Sequence, residues 1–322
     1  MLSCKTMWTA LSRALHAQTV RPISSIAPGR SSWPFAEIRK IRPSFSCGRI
    51  FHAIMNAMDA FLFGLFGLIV GSFLNVVILR RGVRPLSGRS SCTRCGDPIR
   101  WFDLVPLFSW LALRGRCRAC GSRISAQYPI VEAVTSILFA LAGGAGISLA
   151  ALLFVLPIIA ILIAIAVYDL RHTIIPDEWV WAFGAFALAP NILMPQYYPL
   201  TLPDVGYIVA LGFAAAAPLF LLWLVSSGRW MGLGDAKLAL GIGWLLGEEG
   251  LIAVFGAFVL GTLVLVPFML IERAVTHRAG YSSAARGLTM KSEVPFGPFL
   301  VASTLVVLFS GMYGIDIAAI LL

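Results

Sequence analysis

The chain has 322 residues, 59% of them hydrophobic, with a mean hydropathy of +0.87 and a formal net charge of +10. So apolar a composition excludes an ordinary water-soluble domain. Apolar runs of about twenty residues recur, each long enough to cross roughly 30 Å of hydrocarbon, and they indicate an all-α polytopic membrane protein.

Residues 1–57 hold eight Lys and Arg against one acid, Glu37, so the remainder has 17 basic and 14 acidic residues and only a slight positive charge. This Arg-rich, Ser-rich, acid-poor segment resembles an organellar transit peptide in composition. The plainer expectation is that translation begins near Met55 or Met58, with 1–57 a miscalled start or disordered.

About eight transmembrane helices follow. The first is predicted at 58–80, its apolar part at 59–79. The others fall near 129–145, 147–168, 178–195, 205–226, 233–247, 250–272 and 295–321. The segment at 233–247 is short and glycine-rich, so seven spans and one re-entrant segment is the alternative count.

Orientation follows from Lys and Arg bias in short loops. Between residues 80 and 128 lie ten arginines against Asp97 and Asp103, which places this loop in the cytoplasm. By alternation the loops at Arg171, at Arg229 and at Arg273 to Lys291 are also inside. The segments Pro195–Asp204 and Gly247–Gly250 have neither Lys nor Arg and fall outside. Only the basic segment 1–57 conflicts, because this topology puts the N-terminus outside.

The loop 81–128 contains Cys92-Thr93-Arg94-Cys95 and Cys117-Arg118-Ala119-Cys120, two C-x2-C pairs separated by 21 residues and each followed by glycine, Gly96 and Gly121. Four thiolates at this spacing suit one tetrahedral zinc, and each glycine permits the turn that wraps backbone around the metal. Two disulfides are the competing reading, disfavoured in a reducing compartment. Cys4 and Cys47 have no evident partner. Zinc ribbons bind nucleic acid in many proteins, but this one is short and tethered at both ends. Its arginines are expected to meet anionic lipid head groups, with no nucleic-acid partner.

Two aspartates stand at the edges of apolar segments: Asp169 after Tyr168, and Asp235 in Gly232-Leu233-Gly234-Asp235. A carboxylate near hydrocarbon is costly unless it faces a polar cavity or has a chemical task. The predicted topology puts both on the cytoplasmic face. When two carboxyl groups share a site, one keeps the proton, and such a pair can activate water and protonate a leaving amine. Asp177, after Pro176, competes with Asp169 as the first acid, or caps the next helix. Gly67 and Gly71 form a GxxxG suited to close helix packing. Gly241-Ile242-Gly243 and Gly143-Gly144-Ala145-Gly146 follow no strand and make no nucleotide site. His172 is expected to be an interfacial side chain, and Lys237 is expected to reach the lipid interface.

In order along the chain, these residues resemble those of bacterial prepilin peptidases, also called type IV leader peptidases, of the GxGD class of intramembrane aspartic proteases. The resemblance runs from Gly71-Ser72-Phe73-Leu74-Asn75 through the cysteine loop with Leu113-Arg114-Gly115-Arg116, then Tyr128-Pro129 and Glu132. It continues through Asp169 to Ile175-Pro176-Asp177, the GxGD motif with Lys237, and Pro295-Phe296-Gly297-Pro298-Phe299. It implies catalysis by Asp169 and Asp235, prepilin or pseudopilin substrates, and a multi-pass place in the bacterial cytoplasmic membrane. For relatives that keep the cysteine loop it also implies S-adenosylmethionine-dependent N-methylation of the cleaved pilin, with the methyl-donor site unplaced. Glu132 matches an acidic position of the family. A proton-coupled transporter would favour midplane aspartates and inverted repeats, which this chain lacks. A non-enzymatic scaffold would have no need of the aspartate pair.

Overall fold

The computed structural model describes residues 46–83, 85, 87–193, 202–278 and 295–316, all within the unit Trp33–Leu322. Residues 1–45 of the predicted extension lie outside the described residues, with Cys4.

Eight long helices are present among the described residues, one at each predicted apolar segment. They are α1 (Ser46–Arg80), α2 (Gln127–Gly144), α3 (Leu149–His172), α4 (Asp177–Leu193), α5 (Leu202–Ser226), α6 (Leu233–Leu246), α7 (Glu249–Arg278) and α8 (Gly297–Tyr313). Four contain spans long and apolar enough to cross a membrane: Ala53–Arg80, Leu149–His172, Val205–Ser226 and Glu249–Ile271, with Gly297–Tyr313 a shorter apolar helix. At 1.5 Å per residue α6 is only about 21 Å long, less than the hydrocarbon thickness.

Two boundaries differ from expectation. Helix α1 begins at Ser46, inside the segment predicted as an extension. Arg49 and His52 lower hydropathy there but do not break a helix, so a hydropathy window stops before the helix does. Helix α3 runs to His172, which places Asp169 inside its last turn. Thr173, in the left-handed region at φ +52°, donates its N–H to the Asp169 carbonyl at 2.8 Å and ends the helix. At the other end the Ser148 hydroxyl accepts from the Ala151 N–H at 3.2 Å, an N-cap.

The most extensive helix pair is α1 with α2, and small residues explain it. A Cβ on Gly67 would lie 2.8 Å from the Ser136 Cα and the Thr135 carbonyl oxygen; one on Gly71 would lie 2.8 Å from the Glu132 Cα. The Ser136 hydroxyl donates to the Gly64 carbonyl at 2.8 Å across the same seam. This is the packing role expected of the GxxxG. Glycines do the same for α6: Gly241 meets the Phe183 ring of α4, and Gly243 meets the backbone of Leu211 and Gly212 on α5. The core therefore centres on α3 and α6, through Leu162, Ile165, Leu238 and Ile242, all fully buried.

Gly67→Ala should cost about 1–3 kcal/mol, because a backbone must move to admit the methyl. Gly64→Ala, whose Cβ would meet the Ala140 Cβ at 3.3 Å and Ser136 oxygens at an ordinary 3.7 Å, should cost less. Denaturant unfolding of both variants in detergent micelles measures the difference.

Candidate active site and metal centre

Ends of several helices gather at one end of the bundle, and charged side chains link them. Arg81, just past α1, pairs with Glu178 at 2.5 Å and lies over the rings of Trp179 and Tyr168, at 4.9 and 5.5 Å. This clasp ties the end of α1 to the end of α3 and the start of α4. Lys237 of α6 reaches Asp177 of α4, its Nζ 2.8 and 2.9 Å from the two carboxylate oxygens. The start of α4 packs beside the start of α6 and gives Lys237 this anionic partner. His172 stacks on Tyr168, with ring centroids 4.4 Å apart.

Asp169 and Asp235 are the two buried aspartates at this end, 4% and 8% exposed. Asp177 is different: its side chain is 58% exposed and it is paired with Lys237. The Gly297 N–H, in the first turn of α8, donates to Asp169 Oδ2 at 3.0 Å. Ile175 fills the space between this contact and the GxGD turn. A Cβ on Gly297 would meet Ile175 Cδ1 at 3.3 Å, and one on Gly234 would meet Ile175 Cβ at 3.0 Å. Asp235, in the first turn of α6, lies within electrostatic range of Asp169, and its buried Oδ1 has no hydrogen-bond partner. A Cβ on Gly232 would stand 3.5 Å from Asp235 Oδ2, so glycine there keeps the carboxyl uncovered. Three helix ends thus converge on two carboxyl groups, each with a backbone donor, Gly297 for Asp169 and Gly232 for Asp235, and with Asp235 Oδ1 unpaired. Such a pair can hold a water molecule and share one proton.

Sequence reasoning did not single out the Gly297 N–H. Pro298 in the first turn of α8 was the available signal, since proline there marks a helix start and its orphan donors.

The two C-x2-C pairs form matching knuckles. Cys92 N–H donates to the Asp97 carbonyl and Gly96 N–H back to the Cys92 carbonyl, both at 2.9 Å; Cys117 with Ser122 and Gly121 repeats the pattern at 2.8 and 2.9 Å. Gly96 and Gly121 have φ of +75° and +69°, the left-handed turn expected of them. The four Sγ atoms lie within 4.8 Å of one another, and Cys92 and Cys120 are 3.9 Å apart. No disulfide joins these four cysteines. Four sulfurs about 2.3 Å from a tetrahedral metal are about 3.8 Å apart, so the cluster can hold a metal ion. The Cys92 thiol is held down to about 6 by the backbone N–H groups of Cys95 and Arg94 and by the Ser122 hydroxyl. Cys95 feels the Asp97 N–H, which favours its thiolate, but hydrogen bonds to the other sulfurs and desolvation push it up to about 12.

Glu132 is 6% exposed on α2, where its Oε2 accepts the Leu107 N–H at 2.8 Å and its carboxylate also bonds the Ser72 side chain. Leu107 has φ +60°, rare for a residue with a side chain. The acid therefore fastens the cysteine loop to the α1–α2 pair.

Fold and site together define a helical, multi-pass membrane protein with two buried carboxyl groups at one end and a four-thiol cluster in a loop that follows α1. Residues 65–144 match the Bacterial Peptidase A24 N-terminal domain, and residues 156–266 match the Type IV leader peptidase family. The Type 4 prepilin-like proteins leader peptide-processing enzyme of Escherichia coli is 36% identical over 206 residues, which cover 58% of this chain and 76% of that protein. The Prepilin leader peptidase/N-methyltransferase of Myxococcus xanthus is 37% identical over 202 residues, 60% of this chain and 58% of that one. The protein of that name from Bacillus subtilis is 34% identical over 252 residues, 77% and 92%. No solved structure matches. The chain belongs to the type IV leader peptidase family.

Gly297→Ala should leave the fold intact, because its Cβ would meet only the end of the Asp169 side chain, at 2.6 Å from Oδ2, and the tip of Ile175. The carboxyl must then turn away from the N–H. A displacement of about 1 Å can cost about a hundred-fold in turnover, measured as peptidase kcat beside an unchanged melting temperature.

Proposed function

We propose that Asp169 and Asp235 are the catalytic pair of a peptidase that removes the leader of type IV prepilins or pseudopilins at the cytoplasmic face of the bacterial inner membrane. The chain is a prepilin leader peptidase that also methylates the new N-terminal residue, the two activities in the names of its relatives from Myxococcus xanthus and Bacillus subtilis. One observation carries the residue assignment: two buried carboxyls meet where α3, α6 and α8 end or begin, and among the described residues neither has a cationic partner. The cytoplasmic placement rests on the ten arginines between residues 80 and 128. In this reading all eight helices belong to the membrane bundle, 81–128 is the metal loop and 129–322 the peptidase core.

The chemistry follows from the pair. The ionised carboxyl takes a proton from a water between the two groups, and the water oxygen bonds to the scissile carbonyl carbon. The protonated carboxyl gives its proton to the carbonyl oxygen, which yields a neutral gem-diol. The C–N bond then breaks: the proton taken from water passes to the leaving nitrogen, and a hydroxyl proton returns to the other carboxyl. One proton again resides on the pair. Gly232, beside Asp235 Oδ2, lets substrate backbone approach it, while Gly234 makes room for Ile175. The released amine is the nucleophile for methylation, and S-adenosylmethionine supplies an electrophilic methyl for that step. Among the described residues no glycine loop follows a strand to cradle this donor.

The thiol cluster suits zinc, since four thiolates in a closed tetrahedral site are the structural form of that metal. Zinc there holds the loop together and stands apart from peptide cleavage.

Asp169→Asn and Asp235→Asn should each lower prepilin cleavage about a thousand-fold or more, because the amide cannot carry the shared proton. Asp177→Asn should retain substantial activity. Cleavage of a prepilin by purified variants in detergent is the test, and wild-type turnover by either of the first two would remove the assignment. Purified protein should also carry about one zinc per chain. Replacing Cys92 and Cys95 together by Ser should release it and damage methylation more than cleavage, read by metal analysis and by mass spectrometry of the pilin product.

A further inference from the structure

The loop between α1 and α2 contains an apolar stretch that neither the metal cluster nor the aspartate pair uses. From Trp101 to Leu111 the sequence is WFDLVPLFSWL, whose one charged residue, Asp103, is neutralised by Arg118 at 2.6 Å. Trp101 is 80% exposed, and Phe108 and Leu111, three residues apart on a one-turn helix, are exposed together. An apolar run of this length is too short to span a bilayer and suits an interfacial segment.

The fold says what covers it. Trp101, Leu104 and Val105 line a groove of about 440 Å³ whose other wall is Ile69, Phe73 and Val76 of α1. Those three share one face of a helix that is itself a membrane span, and Ile69 and Phe73 are exposed there. Phe73 lies seven residues before Arg80, about 10 Å down the helix from its end. The apolar edge of the loop is thus continuous with the exposed apolar stripe of α1, a turn or more before that helix ends at Arg80. The bond from Leu107 N–H to buried Glu132, at 2.8 Å, pins the middle of the stretch in this position. Arg100 and Arg114 flank the stretch, as cations at a head-group surface would.

We propose that residues 101–111 are an interfacial wedge, inserted at the boundary of head groups and acyl chains beside α1, which seats the metal loop on the bilayer. Its partner is lipid. The wedge gives the loop two fixed points, one in the bundle at Glu132 and one in the membrane at Trp101, Phe108 and Leu111. The metal centre is then held close to the surface at which the aspartate site opens.

The test uses the full chain in liposomes of phosphatidylethanolamine and phosphatidylglycerol, with the photoreactive residue benzoylphenylalanine placed singly at Trp101, Phe108 or Leu111, and at Arg94 on a knuckle as comparison. On irradiation, mass spectrometry should find lipid adducts at the first three positions, several-fold more abundant than at Arg94. Adducts joining two protein chains at these positions, or lipid adducts no more abundant than at Arg94, would overturn the proposal. Each protein is checked for retained prepilin cleavage, so a misfolded variant is recognised and replaced by another of the three positions.

Discussion

Burying two carboxyl groups at one end of a helical bundle is the constraint around which the fold is arranged. A carboxylate removed from water needs hydrogen-bond donors or a shared proton, and the helix ends provide the donor. The first turn of α8 aims the Gly297 N–H at Asp169 Oδ2, while Asp235 keeps a buried oxygen without a partner. Asp235 also takes a backbone hydrogen bond, from Gly232, and its Oδ1 is left able to engage something more. Glycine is required at the contact because any side chain at Gly297 would occupy the position of the acceptor.

Close packing makes that convergence possible. Helix α6 is short, and its glycines let α4 and α5 approach its backbone, so it sits deep in the bundle with Asp235 in its first turn. The exposed ion pair of Lys237 with Asp177 contributes little to stability, as surface pairs do. It does set the register of the start of α6 against the start of α4, next to the buried acids.

A second polar contact joins the bundle to the loop. Glu132, buried under the α1–α2 seam, accepts the N–H of Leu107, and the Arg81 clasp links the other side of the loop's base to α3 and α4. The four-thiol cluster and the carboxyl pair share a foundation, since α1 carries the loop and is tied to the helix that carries Asp169.

The apolar segments, the paired knuckles and the two aspartates at segment edges were legible in the sequence because each is local: hydropathy, a C-x2-C spacing and a charge beside hydrocarbon all lie within a helix length. The GxxxG of Gly67 and Gly71 was legible for the same reason. What only the tertiary structure decided are contacts between residues distant along the chain. Gly297 reaches Asp169 across 128 positions, Lys237 reaches Asp177 across 60, and Leu107 reaches Glu132 across 25. Lys237 found its anion on another helix, and α1 began upstream of its apolar run because helix propensity continues where hydropathy has fallen. Side-chain partners depend on which helix faces which. That is set by packing of small residues over the whole bundle, and no window of sequence contains it.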